Sequence, residues 1–265
     1  MRFKLFTALA AGIWLTACGG EKSPETPDKT VVTEVAETTK SESQHPVSLH
    51  KLTDGVWYHK TDYTFPDGGK VPSNGLLVED GDGLILVDTA WGEQATKDLL
   101  RLIKKEIGKP VTKLIITHHH YDRLAGVDIL ESEGVAVFTH PDTPRRSMAL
   151  GTPTPDRAVP ALTDKGSRVK VGVVEVAYTG PGHAEENLVV FVPEANILFG
   201  GCMIRGKNFK TMGNTNDADL NAWPDSLAWT KNTFARTAII VPGHGKPDTI
   251  GLIDHTLELL KANPG

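Results

Sequence analysis

The sequence predicts an α/β fold in which β-sheets are sandwiched between layers of helices, and three observations predict it. Short apolar runs alternate with segments whose apolar residues recur at helical spacing. The same grammar occurs in both halves of the chain, with no long linker inside 47–264, so a single domain over 47–265 accounts for both halves. Of the 265 residues, 39% are hydrophobic, which is enough for a sizeable core in a chain of this length.

The elements follow in order. Val56-Trp57-Tyr58 reads as a short strand, and 61–73, with Pro66, Gly68, Gly69 and Pro72, as a loop between strands. Leu76-Leu77-Val78 and Leu84-Ile85-Leu86-Val87 read as buried strands joined by Asp80-Gly81-Asp82-Gly83. The stretch 93–107 carries Leu99, Leu100, Ile103 and Ile107 on one helical face. A strand over 113–117, a helix over 124–133 and a strand over 135–139 complete the first half. The second half offers strands at 173–178, 188–192, 197–199 and 239–241, and helices at 226–234 and 252–261.

The N-terminus has the form of an export signal. Arg2 and Lys4 precede an apolar run over 5–15 that is too short to span a membrane. Leu15-Thr16-Ala17-Cys18, followed by Gly19-Gly20, resembles a bacterial lipobox. The resemblance implies a lipoprotein signal peptide over 1–17 and a lipid on Cys18; an ordinary signal peptide with an incidental Cys18 is the alternative. Gly19 in place of an aspartate implies the outer membrane. The expectation is a periplasmic protein that meets the membrane through its lipid anchor only. The stretch 18–46 is rich in Glu, Lys, Thr, Ser and Pro and reads as a flexible tether. With Cys18 lipidated, Cys202, the other cysteine of the chain, has no disulfide partner, and a metal would occupy its thiol. The formal net charge of -5, without clustered basic residues, gives no nucleic-acid footprint. A monomer is the default expectation.

The densest chemical signal is Thr117-His118-His119-His120-Tyr121-Asp122-Arg123, directly after the apolar Leu114-Ile115-Ile116. In extended backbone His118, His120 and Asp122 share one side, since side chains alternate with period two. Three more single ligands follow short apolar runs: His183 in Pro181-Gly182-His183, Cys202 in Gly200-Gly201-Cys202, and His244 in Pro242-Gly243-His244-Gly245. Glycines beside them allow close backbone approach. One Gly-His pair means little, but four strand-end sites in one chain point to a metal centre carried by loops on a rigid scaffold.

This set, His118-x-His120-x-Asp122-Arg123 with His183, Cys202 and His244, resembles the metallo-β-lactamases of class B, subclass 1, over about residue 47 to the C-terminus, including Asn74-Gly75-Leu76 and Val87-Asp88-Thr89-Ala90-Trp91. The resemblance implies an αββα sandwich with two zinc ions at one edge of its sheets. It also implies hydrolysis of the β-lactam amide bond of penicillins, cephalosporins and carbapenems, which confers antibiotic resistance. Glyoxalase-type relatives carry a histidine after the motif aspartate and an aspartate as bridging ligand, where this chain has Arg123 and Cys202. His118, His120 and His183 would form a neutral site with an open position, where bound water ionises near pH 7. Asp122, Cys202 and His244 would form a second site whose two anionic ligands offset the metal's charge and whose thiolate favours zinc. Asp122 would also orient the nucleophile, and Arg123 either holds that aspartate or forms a plain buried ion pair.

The resemblance implies substrate contacts as well. Arg205 stands where the family usually has lysine and would grip the carboxylate beside the lactam ring, with Lys207 and Lys210 as alternatives. Asn214 matches an asparagine that polarises the lactam carbonyl, although asparagine after Gly213 also suits a turn. The loop with Tyr63, Phe65, Gly68 and Gly69 matches a flap over the site, or packs as a hairpin tip. Trp91 lines the pocket or packs on the following helix, and Asp88 matches a buried aspartate beneath the metals. His119 and Tyr121 face away from the metals, while His45, His50, His59, His140 and His255 read as surface or core residues. Ala184 stands where the family has a small hydroxyl residue. A thioester or lactone hydrolase on the same scaffold and a non-enzymatic metal-binding lipoprotein are the competing readings.

Overall fold

A computed structural model describes residues 44–262. The signal peptide, Cys18 and nearly all of the tether expected from the sequence lie outside the described residues. In chain order the elements are β1 (Val47–Thr53), β2 (Val56–Thr64), β3 (Lys70–Asp80), β4 (Gly83–Val87), α1 (Glu93–Glu106), β5 (Val111–Ile115), α2 (Tyr121–Leu124), α3 (Val127–Ser132), β6 (Ala136–Phe138), α4 (Thr143–Leu150), β7 (Arg168–Val171), β8 (Val174–Tyr178), β9 (Leu188–Val192), β10 (Ile197–Arg205), α5 (Trp223–Thr233), β11 (Ile239–His244) and α6 (Gly251–Ala262).

The strands form two sheets, β1-β2-β3-β4-β5-β6 and β11-β10-β9-β8-β7. Pairing is antiparallel except at β4–β5, β5–β6 and β10–β11. The central strands β4 and β9 are apolar without interruption because both their faces are covered, whereas β1 and β7 at the sheet edges carry charged residues. Leu76, Val78, Ile85 and Val87 face the second sheet, where they meet Val176, Leu188, Val190, Phe199 and Val241. Their chain neighbours Leu77, Leu84 and Leu86 face outward onto Leu99 and Ile103 of α1 and Leu130 of α3. On the other side Val189, Leu198 and Ile240 pack under Trp223 and Leu227 of α5 and Leu252 and Leu259 of α6. Period-two alternation thus gives each sheet an inner and an outer apolar face, and the layers are helix, sheet, sheet, helix.

Two expectations about local structure are corrected. The stretch 61–73 is mostly strand: β2 runs to Thr64, β3 starts at Lys70, and only the tip between them is loop. Pro72 is accommodated opposite Asp62 because β4 pairs only with Leu76–Asp80, so Pro72 needs no partner on its far side. The helix expected over 124–133 is split into α2 and α3 at Ala125-Gly126. A side chain at Gly126 would come within 2.4 Å of Thr96, so α1 packs directly on the break. Strands β1 and β7 and helix α4 were not anticipated.

Candidate metal centre

The three-histidine loop leaves β5 through Thr117. Its backbone N–H and hydroxyl donate to the two carboxylate oxygens of Asp88 at 2.8 and 2.9 Å. Asp88 is fully buried and holds a left-handed φ of 58° at the end of β4. Burial pushes its carboxyl up to about 7, against the pull of Arg123 and Thr117. The expected aspartate beneath the site is therefore in place, and it fixes the exit direction of β5.

From that exit His118 and His120 converge with His183, which the loop after β8 delivers. His118 Nε2 lies 3.1 Å from His120 Nδ1, and His120 Nδ1 lies 3.0 Å from His183 Nε2. Burial, and then the neighbouring histidines, hold His118 and His183 well below the usual imidazole range. Three imidazole nitrogens facing one another at these distances cannot all find a donor in each other, and a cation fits among them.

The second trio is assembled by β10, β11 and α2; Asp122 lies in the first turn of that helix rather than on the extended backbone expected for it, which separates it from the histidines of the first trio. Cys202 Sγ is 3.4 Å from His244 Nε2 and 4.0 Å from Asp122 Oδ2, and His244 Nε2 is 3.2 Å from that same oxygen. His244 Nδ1 donates to the Pro72 carbonyl at 2.8 Å, which leaves Nε2 as the ligand atom. Gly243 has no alternative, because a Cβ there would lie 2.7 Å from Cys202 Sγ. Burial pushes the Cys202 thiol up to about 12, so an ion must displace its proton. Burial also works against the Asp122 carboxylate, but Arg123 and His244 hold it well below the usual carboxylate range.

Arg123 is fully buried and reconciles both readings made of it. Its Nε and Nη2 donate to Asp122 Oδ2 at 3.0 and 2.5 Å. It also donates to the Asn74 carbonyl at 2.6 Å, Ser73 Oγ at 2.9 Å and the Gly243 carbonyl at 3.2 Å. It therefore orients a ligand and ties β3 to the end of β11.

Around the trios, Trp91 stacks on Tyr63 at 4.1 Å, meets Phe65 edge-on at 5.6 Å and approaches the His244 ring at 6.1 Å. Trp91 thus lines the site, and Phe65, 38% exposed, stands at the tip beside it. Arg205 is buried with its guanidinium 4.3 Å over the Phe209 ring and its Nε without a hydrogen bond. Lys207 is committed to Asp248 at 2.9 Å, and Lys210 is exposed. Asn214 is exposed, and its Oδ1 accepts from the Asn216 N–H at 3.0 Å, the turn that its sequence context allows. Tyr121 is 43% exposed, and His59 is a core residue that burial lowers to about 4. The Ala184 N–H donates to Asn187 Oδ1 at 2.6 Å.

Two carboxylates escaped sequence reasoning. Glu186, fully buried, accepts from the backbone and ring of His119 at 2.9 and 2.5 Å. Its signal was an acid three residues after His183, next to the apolar run that opens β9. Asp217 lies 3.0 Å from His120 Nε2, from a loop with no apolar pattern to mark it.

An αββα sandwich with two ligand trios at one edge of its sheets defines a class, and comparison with known proteins gives the same class. The metallo-beta-lactamase superfamily model matches residues 68–244. The chain is 37% identical over 216 residues to a metallo-beta-lactamase type 2 from Bacillus sp. (strain 170), covering 81% of this chain and 82% of the relative. It is 33% identical to one from Bacteroides fragilis, covering 81% and 85%. Among solved structures, a metallo-beta-lactamase from Hirschia baltica superposes with a TM-score of 0.78 at 36% identity, covering 81% of this chain and 98% of that one. FIM-1 from Pseudomonas aeruginosa, in its mono-zinc form, superposes at 0.77 with 35% identity, covering 82% and 96%. The chain belongs to the metallo-β-lactamase superfamily and, within it, to the type 2 family.

Proposed function

We propose that this protein hydrolyses the amide bond of β-lactams, carbapenems included, with two zinc ions, and so confers resistance to these antibiotics. The observation that carries the reading is the pair of adjoining trios, one of neutral imidazoles and one containing a carboxylate and a thiol. Zinc held by His118, His120 and His183 and by Asp122, Cys202 and His244 supplies Lewis acidity and makes water nucleophilic near neutral pH. Arg123 engages Asp122 through Oδ2, so Oδ1 is left to accept a proton from the attacking water and to aim it. Among the described residues no carboxylate forms an ion pair with Arg205, which pairs with that of the substrate, while its competitor Lys207 is already paired. The turn at Asn214 uses Oδ1 and leaves Nδ2 to donate to the lactam carbonyl. Trp91 and Phe65 present apolar surface to the substituents of the drug.

The test is the absorbance of a carbapenem with the purified protein, zinc and then a chelator. Rapid loss of the lactam chromophore, abolished by the chelator, is expected. No turnover of a carbapenem, a penicillin or a cephalosporin by zinc-loaded protein would shift the assignment to thioesters or lactones.

We also infer a periplasmic protein anchored to the outer membrane through Cys18, supported by the lipobox-like Leu15-Thr16-Ala17-Cys18. Cys18→Ser is expected to move the protein from the membrane to the soluble fraction on cell fractionation; continued membrane association would count against the anchor.

A further inference from the structure

Beyond the two trios, a third set of side chains has ligand geometry, on the far side of the His120 ring. Ring nitrogens of His119 and His120 and a carboxylate oxygen of Asp217 lie within 4.8 Å of one another. His120 presents Nδ1 to the inner trio and Nε2 to Asp217 Oδ2, at 3.0 Å. With Nδ1 engaged by an ion, Nε2 carries the ring proton and donates it to Asp217, which leaves Oδ1 of that carboxylate open.

His119 has the other half of the arrangement. Its Nδ1 lies 2.5 Å from Glu186 Oε1, and Glu186 is fully buried. A histidine that ligates a metal through one nitrogen donates the other to a carboxylate, which fixes the tautomer and raises the basicity of the ligand atom. Glu186 does this for His119 although His119 belongs to neither trio. The lone pair is left on Nε2, to which no group among the described residues donates. The Asp217 side chain is 38% exposed, so an ion can reach the position from solvent. The Asp217 carboxylate, with that of Glu186 behind His119, balances a divalent charge. Imidazole with one carboxylate suits zinc or copper better than magnesium or calcium.

We propose that His119 and Asp217, with His120 between them, form an outer binding site for one divalent transition-metal ion, separate from the two inner sites. The inference rests on the two-zinc reading only in that the inner sites fill first. An ion at the outer site draws Asp217 toward itself and away from His120, which places it where it can influence the three-histidine trio.

The test starts from the zinc-loaded protein. Dialysis against rising free zinc, with metal counted per chain, is expected to reach a third equivalent beyond the first two. Copper(II) added to the zinc-loaded protein is expected to give an electron paramagnetic resonance signal with nitrogen coupling. His119→Gln keeps a donor for Glu186, and it is expected to lose the third equivalent and the nitrogen coupling while retaining two zinc ions. Asp217→Asn is expected to weaken the third equivalent in the same way. Saturation of the unmodified protein at two ions would overturn the outer site, as would a third ion and coupled signal unchanged in His119→Gln. Fewer than two tightly held ions at low free zinc would instead break the two-zinc reading, and the loss of one equivalent in His119→Gln relative to the unmodified protein would still decide on the outer site.

Discussion

His118, His120 and His183 meet with no charged side chain among them, while Asp122, Cys202 and His244 are built around a buried guanidinium. The supports of the first trio are the buried Thr117 Oγ beside His118 Nδ1 at 3.2 Å and the part-exposed Asp217 beside His120. The second trio contains an acid and a thiol packed in the interior, and a buried guanidinium sits among them. The difference is one of charge. A neutral cluster can wait for its ion without compensation, whereas a buried carboxylate needs a cation at all times, and Arg123 is that cation.

Removing the compensation should have the largest effect. Arg123→Met leaves Asp122 buried without a partner and frees the carbonyls of Asn74 and Gly243, so a loss of about 3–5 kcal/mol is expected in urea unfolding. An unfolding midpoint equal to that of the parent would mean that solvent, not Arg123, stabilises the second trio. Cys202→Ala removes a ligand and keeps the guanidinium, so it separates charge from coordination. Its zinc content is expected to fall by one ion per chain with little loss of stability, and kcat/KM by roughly 100-fold, the scale of losing one major electrostatic stabiliser. Retention of both ions would remove Cys202 from the ligand set.

Acid should separate the trios without mutation. Burial already holds His118 and His183 of the first well below the usual imidazole range, but the Cys202 thiol, pushed up to about 12, holds a proton near neutral pH that an ion must expel. Affinity at the second trio should therefore weaken as pH falls, by about tenfold per unit for that one proton. Competitive chelator titrations between neutral pH and pH 6 measure this, and parallel weakening of both sites would refute the contrast. The smallest effect is expected outside both trios: Arg205→Ala should raise KM about tenfold, with kcat nearly unchanged, for the loss of one charge-assisted hydrogen bond to the substrate carboxylate. An unchanged KM would move the substrate carboxylate to Lys210.

The ligands were legible because each lies on or just past a buried apolar run, although β10 continues to Arg205 and takes in Cys202, and His244 is the last residue of β11. Asp88 and Trp91 were legible for the same reason, at the end of β4. What escaped lacked that contrast. In β1, Ser48-Leu49-His50-Lys51 lies at the sheet edge and is only partly buried, and α4 is a short helix with Pro144 in its first turn and two arginines. The glycines and proline of 65–69 mark only the tip of a hairpin, and their turn signal spread over strand residues on both sides. Asp217 depends on a tertiary contact between positions 97 residues apart, which no local pattern encodes.

Asn74 donates through Nδ2 to the carbonyls of Pro242 and Gly245 at 2.8 and 2.7 Å. Together with Arg123, it joins the end of β11 to the opposite sheet by protein contacts alone. The Asn74 bonds use no metal ligand atom, so the junction at the end of β11 is expected to stay protected from protease when zinc is stripped.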